Sequence, residues 1–123
     1  MKILVADDSQ VMRRIIVRTL RQAGYGGHQV LEAENGQEAV DLVSSERPDL
    51  VLSDWHMPVM DGMDALATLR ASGSAVPFGF VTTEGSESAR RRAAEAGALF
   101  VIPKPFTAAA FQQALTGVLP ALP

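Results

Sequence analysis

Three aspartates, a threonine and a lysine stand out in this 123-residue chain, because each lies where a run of apolar residues ends. Asp7 and Asp8 follow Ile3-Leu4-Val5-Ala6, Asp54 follows Leu50-Val51-Leu52, Thr82 follows Phe78-Gly79-Phe80-Val81, and Lys104 follows Leu99-Phe100-Val101-Ile102. Brought together, these groups suit phosphoryl transfer through a carboxylate. Three carboxylates in one crevice repel one another and cannot all stay ionised without a cation. A hard divalent ion, Mg²⁺ above all, answers that need. It takes oxygen ligands from one or two carboxylates, a backbone carbonyl, waters and phosphate oxygens. One carboxylate is then free to act as nucleophile, while the Lys104 ammonium and the Thr82 hydroxyl suit the oxygens of the transferred group. Plain structural roles compete for each residue: Asp8 can cap the first helix, Asp61 the third, and Thr82 can serve as a turn hydroxyl. Lys104 resists such a role, being one of two lysines against nine arginines and set between Pro103 and Pro105.

The elements that must position these groups are legible in the hydrophobic pattern. Short apolar runs alternate with helically spaced segments along the whole chain, which predicts an α/β fold with a parallel sheet. The four runs quoted above are apolar on both alternating faces and read as central or near-central strands. His28-Gln29-Val30-Leu31-Glu32-Ala33 mixes polar and apolar positions and reads as an edge.

Five helices are expected. The first covers about 10–23, with Ser9 as N-cap, Met12, Ile15, Ile16, Thr19 and Ala23 on its apolar face and Gly24 just past its end. The second covers about 37–46 and stops at Pro48. A third follows Asp61, burying Met63, Leu66 and Leu69 before Gly73. The fourth covers about 87–96 between Ser86 and Gly97. In the fifth, Phe111, Ala114, Leu115, Val118 and Leu119 share a face, Thr107 is the N-cap, and Phe106 staples against Phe111. Right-handed crossovers then give a doubly wound five-stranded sheet of order 2-1-3-4-5, a flavodoxin-like topology whose ligand crevice lies beyond the carboxyl ends of the strands.

Composition narrows the function classes. The absence of cysteine excludes thiolate zinc sites, iron–sulfur clusters and cysteine nucleophiles. Fourteen acidic against eleven basic side chains, with no basic run longer than Arg90-Arg91-Arg92, argue against autonomous nucleic-acid binding. No apolar stretch is long enough to span a bilayer. Met1-Lys2 and four apolar residues running straight into two aspartates do not read as a signal peptide. The expectation is one domain over residues 1–123, cytoplasmic and monomeric, whose output comes from a partner.

Five segments, in order, carry a family resemblance: Leu4-Val5-Ala6-Asp7-Asp8, Met12-Arg13-Arg14-Ile15, Ser53-Asp54-Trp55-His56-Met57-Pro58-Val59-Met60-Asp61-Gly62, Val81-Thr82-Thr83-Glu84, and Ala96-Gly97-Ala98 running on to Lys104-Pro105-Phe106-Thr107. The chain resembles the receiver domains of two-component response regulators, and most closely those of chemotaxis. That resemblance implies that Asp54 is the phosphoacceptor, taking a phosphoryl group from the phosphohistidine of a sensor kinase or from a small phosphodonor. It implies Mg²⁺ held directly by Asp8, through water by Asp7, and also by Asp54 and the backbone carbonyl of His56. Thr82 would be the switch hydroxyl, Lys104 would touch a phosphoryl oxygen, and the Lys104-Pro105 bond would be cis. Phosphorylation would bias a two-state equilibrium of the face formed by the fourth helix, fifth strand and fifth helix, where a downstream protein binds.

Several positions depart from that pattern. The fifth-strand switch position, usually Tyr or Phe, is Val101. Phe100, one residue earlier, faces the other way unless the strand slips, and Pro103 could cause such a slip. An altered switch is the expectation, with Thr82 coupled to smaller apolar groups. His56 and Glu84 occupy the two positions that tune acyl-phosphate lifetime, and a titrating imidazole there would make that lifetime pH dependent. Arg90 and Arg91, with Arg92, lie on the presumed output face, either as a solvated helix surface or as a docking point for an acidic partner. Relatives carry a more apolar residue at the position of Arg90, so the flagellar motor does not transfer as the target. Trp55 reads as a packing residue beside the site and a useful reporter, and His28 has no functional case.

Other readings remain open. Within the same family, a phosphate sink or a regulator that acts by contacting a kinase competes with a chemotaxis messenger. A Mg²⁺-dependent phosphatase with an aspartyl nucleophile would place an Asp-x-Asp pair at the first strand and carry a cap, neither of which is present. A flavin site fails because two carboxylates stand where a phosphate-binding loop belongs.

Overall fold

The computed structural model describes residues Met1–Pro123. Five parallel strands alternate with five helices: β1 (Lys2–Ala6), α1 (Gln10–Leu20), β2 (Gln29–Ala33), α2 (Gly36–Glu46), β3 (Leu50–Ser53), α3 (Gly62–Ala71), β4 (Phe78–Thr82), α4 (Glu87–Ala96), β5 (Val101–Pro103) and α5 (Ala108–Leu115). The sheet order is β2-β1-β3-β4-β5, as the alternation predicts.

Strand side chains point alternately to the two faces, and each face meets its own helices. Ile3, Val5, Leu50, Leu52 and Val81 pack with α1 and α5 through Ile16, Leu20, Phe111 and Leu115. Leu4, Val51, Phe78 and Phe80 pack on the other side with Leu66 and Leu69 of α3 and Ala89 and Ala93 of α4. Every helix starts on a side-chain cap that accepts a backbone N–H in its first turn: Ser9, Asn35, Asp61, Ser86 and Thr107. Phe106 meets Phe111 edge-on at 5.0 Å between ring centroids, completing the staple at α5.

Three expectations are corrected. The order places β5 at the second edge of the sheet, as predicted, so only the reading of Leu99–Ile102 as central or near-central from its apolar pattern fails. The Leu99 N–H donates to Phe78 O (2.8 Å) and the Phe80 N–H to Phe100 O (3.0 Å), so the ladder reaches back, but Leu99 is 57% exposed. An apolar run ending in Pro103 suits an edge, where a missing donor costs nothing. The first helix ends at Leu20, and Arg21–Tyr25 form a wider turn with Gly24 at φ 98°. The last helix ends at Leu115; Gly117 takes φ 84°, and Leu119 is buried from the turn beyond. Apolar spacing persists past both ends because the following turns still cover the core.

Candidate functional site

The carboxyl ends of β1, β3, β4 and β5 bring the predicted polar residues to one rim. Asp7 leaves β1 fully enclosed, and each of its polar groups has a partner on a different segment. Its N–H donates to Ala33 O of β2 (3.0 Å), Oδ1 accepts the Ser9 N–H (2.9 Å), and Oδ2 accepts from Lys104 Nζ (2.8 Å). Asp8, next in the chain, is exposed. Asp54 follows β3; its Oδ1 accepts the Trp55 N–H (2.7 Å) and its Oδ2 accepts from Lys104 Nζ (3.1 Å). One oxygen from each of Asp7, Asp8 and Asp54 lies within 4.8 Å of the others.

Lys104 is therefore the centre of the ion-pair geometry, with a side chain only 13% exposed. Burial pulls its pKa down, but hydrogen bonds and charge from Asp7 and Asp54 outweigh that, leaving it above the ordinary lysine value. Pro105 follows through a cis bond, as the resemblance implied. Three carboxylates against this one ammonium leave negative charge uncompensated, and all the donors are hard oxygens. That donor set fits a divalent cation of the Mg²⁺ type.

The close approach of α3 to Asp54 depends on Gly62. A Cβ at Gly62 would fall 2.1 Å from Asp54 O, and the Gly62 N–H donates to Trp55 O at 2.8 Å. The loop between β3 and α3 holds Val59 at φ 68° with its side chain exposed to solvent. Left-handed backbone is unfavourable for a β-branched residue.

Thr82 is enclosed at the end of β4, where its hydroxyl accepts the Glu84 N–H at 3.2 Å. His56 and Glu84 meet across the rim, Nε2 to Oε1 at 3.0 Å, both largely in solvent. Trp55 is buried against Phe80 at 4.8 Å between centroids and is covered from outside by the Arg92 guanidinium, 5.5 Å from its ring.

Along the α4–β5 side the three arginines diverge. Arg90 Nη1 donates to Val101 O (3.2 Å), Arg91 pairs with Glu87 one turn back, and Arg92 turns to Trp55. Val101 faces the α3–α4 layer and Phe100 the α1–α5 layer, so the strand has not slipped. The Phe100 ring lies over Gly79, where a Cβ would come within 2.1 Å of it. His28 is buried, with Nε2 2.8 Å from Pro120 O, and serves the C-terminal turn rather than the rim.

Comparison with known proteins decides the family. The model for the response regulator receiver domain matches residues 3–116. The chain belongs to the response regulator receiver family. It is 42% identical to chemotaxis protein CheY1 of Helicobacter pylori over 122 residues, 97% of each chain. It is equally identical to the chemotaxis protein CheY homolog of Campylobacter jejuni, covering 92% of that protein. Among solved structures, Vibrio cholerae CheY4 superposes with TM-score 0.83 at 32% identity, covering 96% of this chain and 98% of the other. The Francisella response regulator 1452 receiver domain gives TM-score 0.85 at 25% identity over 95% and 94%. Within this receiver family the chain is a CheY-type signalling protein. Membership implies a histidine kinase upstream and a target downstream in general terms. No helix is long and apolar enough to cross a membrane.

Sequence reasoning missed Arg13. It sits on the apolar face of α1 and is 6% exposed, with Nη1 donating to Asp7 O (2.6 Å) and Nε to Glu32 Oε1 (2.8 Å). A charged residue three positions before Ile16, on the buried stripe, was the available signal.

Proposed function

We propose that this chain is a stand-alone, chemotaxis-type response regulator in the cytoplasm, one receiver domain over residues 1–123, phosphorylated on Asp54. The observation that carries the reading is the Asp7–Asp8–Asp54 oxygen cluster bridged by Lys104 at the strand ends. An Asp54 carboxylate oxygen attacks the phosphorus of a kinase phosphohistidine. The P–N bond breaks, the electron pair stays on the imidazole, and an acyl phosphate forms. Hydrolysis returns the carboxylate and inorganic phosphate.

Asp7, Asp8, Asp54 and the His56 carbonyl would hold Mg²⁺, which neutralises charge on the transferred phosphoryl group and on the carboxylates around it. Lys104 lies within hydrogen-bond reach of Asp54 Oδ2 and therefore beside any group attached there. Thr82 exchanges its bond to the Glu84 N–H for one to a phosphoryl oxygen, which loosens the start of the β4–α4 loop. His56 and Glu84 guard the approach of hydrolytic water. The consequence is read by a downstream protein on the face of α4, β5 and α5, with Arg90, Arg91 and Val101 at its centre. With Val101 in place of an aromatic, the switch moves small apolar groups, and Phe100 stays over Gly79.

Trp55 fluorescence tests this directly. Addition of Mg²⁺ and then beryllofluoride or a small phosphodonor should each change the emission, and Asp54→Asn should abolish the second change. Absence of any response would overturn the reading. Repeated turnover of a phosphomonoester in excess over protein would replace it with a phosphatase.

A further inference from the structure

Burying a guanidinium is costly unless its hydrogen bonds compensate, so an enclosed arginine on a helix that otherwise packs apolar side chains demands a reason. Arg13 has two partners, on either side of the first crossover. Nε meets Glu32 on β2, the edge strand, and Nη1 meets the backbone carbonyl of Asp7 at the end of β1. That carbonyl accepts from no backbone N–H. It belongs to the peptide plane joining Asp7 to Asp8, so whatever holds it sets the direction in which Asp8 leaves the chain.

We propose that Arg13 is the positioning residue for Asp8, with Glu32 as its anchor. This role rests on the metal-dependent reading above. The Asp7 carboxylate needs no such help, since Ser9 and Lys104 already fix both of its oxygens. Asp8 has an exposed side chain and no hydrogen-bond partner of its own, so its direction depends on the peptide behind it. The guanidinium fork reaches the strand edge and the carbonyl at once. A lysine at the same place offers one compact ammonium and cannot span both in the same geometry. Groups that hold metal ligands in place without touching the ion typically change affinity by about 10–100-fold when altered.

The experiment is a Mg²⁺ titration followed by Trp55 fluorescence, paired with thermal unfolding in the absence of metal, on wild type, Arg13→Lys, Glu32→Gln and Arg70→Lys. Arg70 is a control: it donates to Ser74 O and Gly97 O, away from the rim. Arg13→Lys should weaken Mg²⁺ binding about tenfold. Glu32→Gln, at a half-exposed position and keeping an oxygen that can still accept from Arg13, should weaken it less, and the double variant should be no worse than Arg13→Lys alone. Arg70→Lys should lower the melting temperature and leave Mg²⁺ affinity unchanged. An Arg13→Lys curve superimposable on wild type, with only the melting temperature lowered, would overturn the role and leave the metal reading intact. No saturable response in the wild type would overturn both.

Discussion

The two edges of the sheet differ in how they are tied to the rim that carries Asp7, Asp8 and Asp54. At β2 five residues pair with β1 in continuous register, and Glu32 reaches through Arg13 to the Asp7 carbonyl. At β5 only three residues form the strand, Pro103 lacks a donor, and the neighbouring surface is held by an exposed arginine on a carbonyl and by Phe100 resting over a glycine. The β2 edge holds the backbone behind the acids, whereas the β5 edge meets their carboxylates directly through Lys104. A short edge strand joined to the acids by one ammonium can yield when those acids change, because elements with few buried contacts open at low free-energy cost. On the proposed function, that asymmetry separates a rigid receiving end from a compliant transmitting one.

The strongest way to break this comparison is to remove what both edges serve. Asp54→Asn should eliminate phosphoryl labelling altogether and with it any donor-induced change in amide exchange at β5, while the fold persists. Retained exchange changes in that variant would show that the β5 edge moves independently of the acceptor.

Next in size is the Gly79–Phe100 contact. Gly79→Ala places a methyl where the Phe100 ring already is, and overpacking of this kind costs about 1–3 kcal/mol. In a Phe100→Ala background the same substitution should be neutral or stabilising, since glycine in a strand interior is less favourable than alanine by about 0.5–1 kcal/mol. Urea unfolding of the four proteins measures the coupling. Additive effects would mean that Phe100 is not pinned, and a beryllofluoride-bound structure with Phe100 turned in behind Thr82 would show a switch aromatic after all.

A smaller effect is expected where the rim faces solvent. Glu84→Ala breaks the bond to His56 and should shorten acyl-phosphate lifetime severalfold, with unfolding free energy changed by less than about 1 kcal/mol, as for exposed pairs. Decay of phosphorus label after removal of the donor measures the first, and urea unfolding the second. An unchanged lifetime would leave that bond without a role at the acceptor.

The reach of the sequence follows the range of the interactions. Asp7, Asp8, Asp54, Thr82 and Lys104 could be read because the carboxyl end of a buried strand is a local pattern, and the parallel topology then brings such ends together. The caps at Ser9, Asp61, Ser86 and Thr107 are also local. Arg13 could not be assigned, since its partners lie on β2 and at the end of β1, and an arginine among apolar residues gives no sign of either. The Phe100 ring and Gly79 fit each other across twenty-one positions, a complementarity that neither residue announces alone. The apolar pattern of Leu99–Ile102 alone suggests a near-central strand, because a strand covered on both faces looks the same at the edge as at the centre of a parallel sheet; the topology, not the pattern, places β5 at the edge. The end of α5 escaped because Leu119 keeps helical spacing while lying in a turn.

Arg90 gives the smallest effect and the finest discrimination between the edges. Its guanidinium meets Val101 O from an exposed position, so Arg90→Ala should change unfolding free energy by no more than about 0.5 kcal/mol. Glu32 is also partly exposed, but it anchors a buried charge, and removing it leaves Arg13 with a single partner. Glu32→Ala should therefore destabilise more than Arg90→Ala, by about 1–3 kcal/mol. If a partner docks on the compliant edge, Arg90→Ala should alter binding of that phosphorylation-dependent partner without altering Mg²⁺ affinity, and Glu32→Ala should do the reverse. Equal stability losses for the two substitutions, or a Mg²⁺ shift in the Arg90 variant, would mean that both edges are tied to the acids alike.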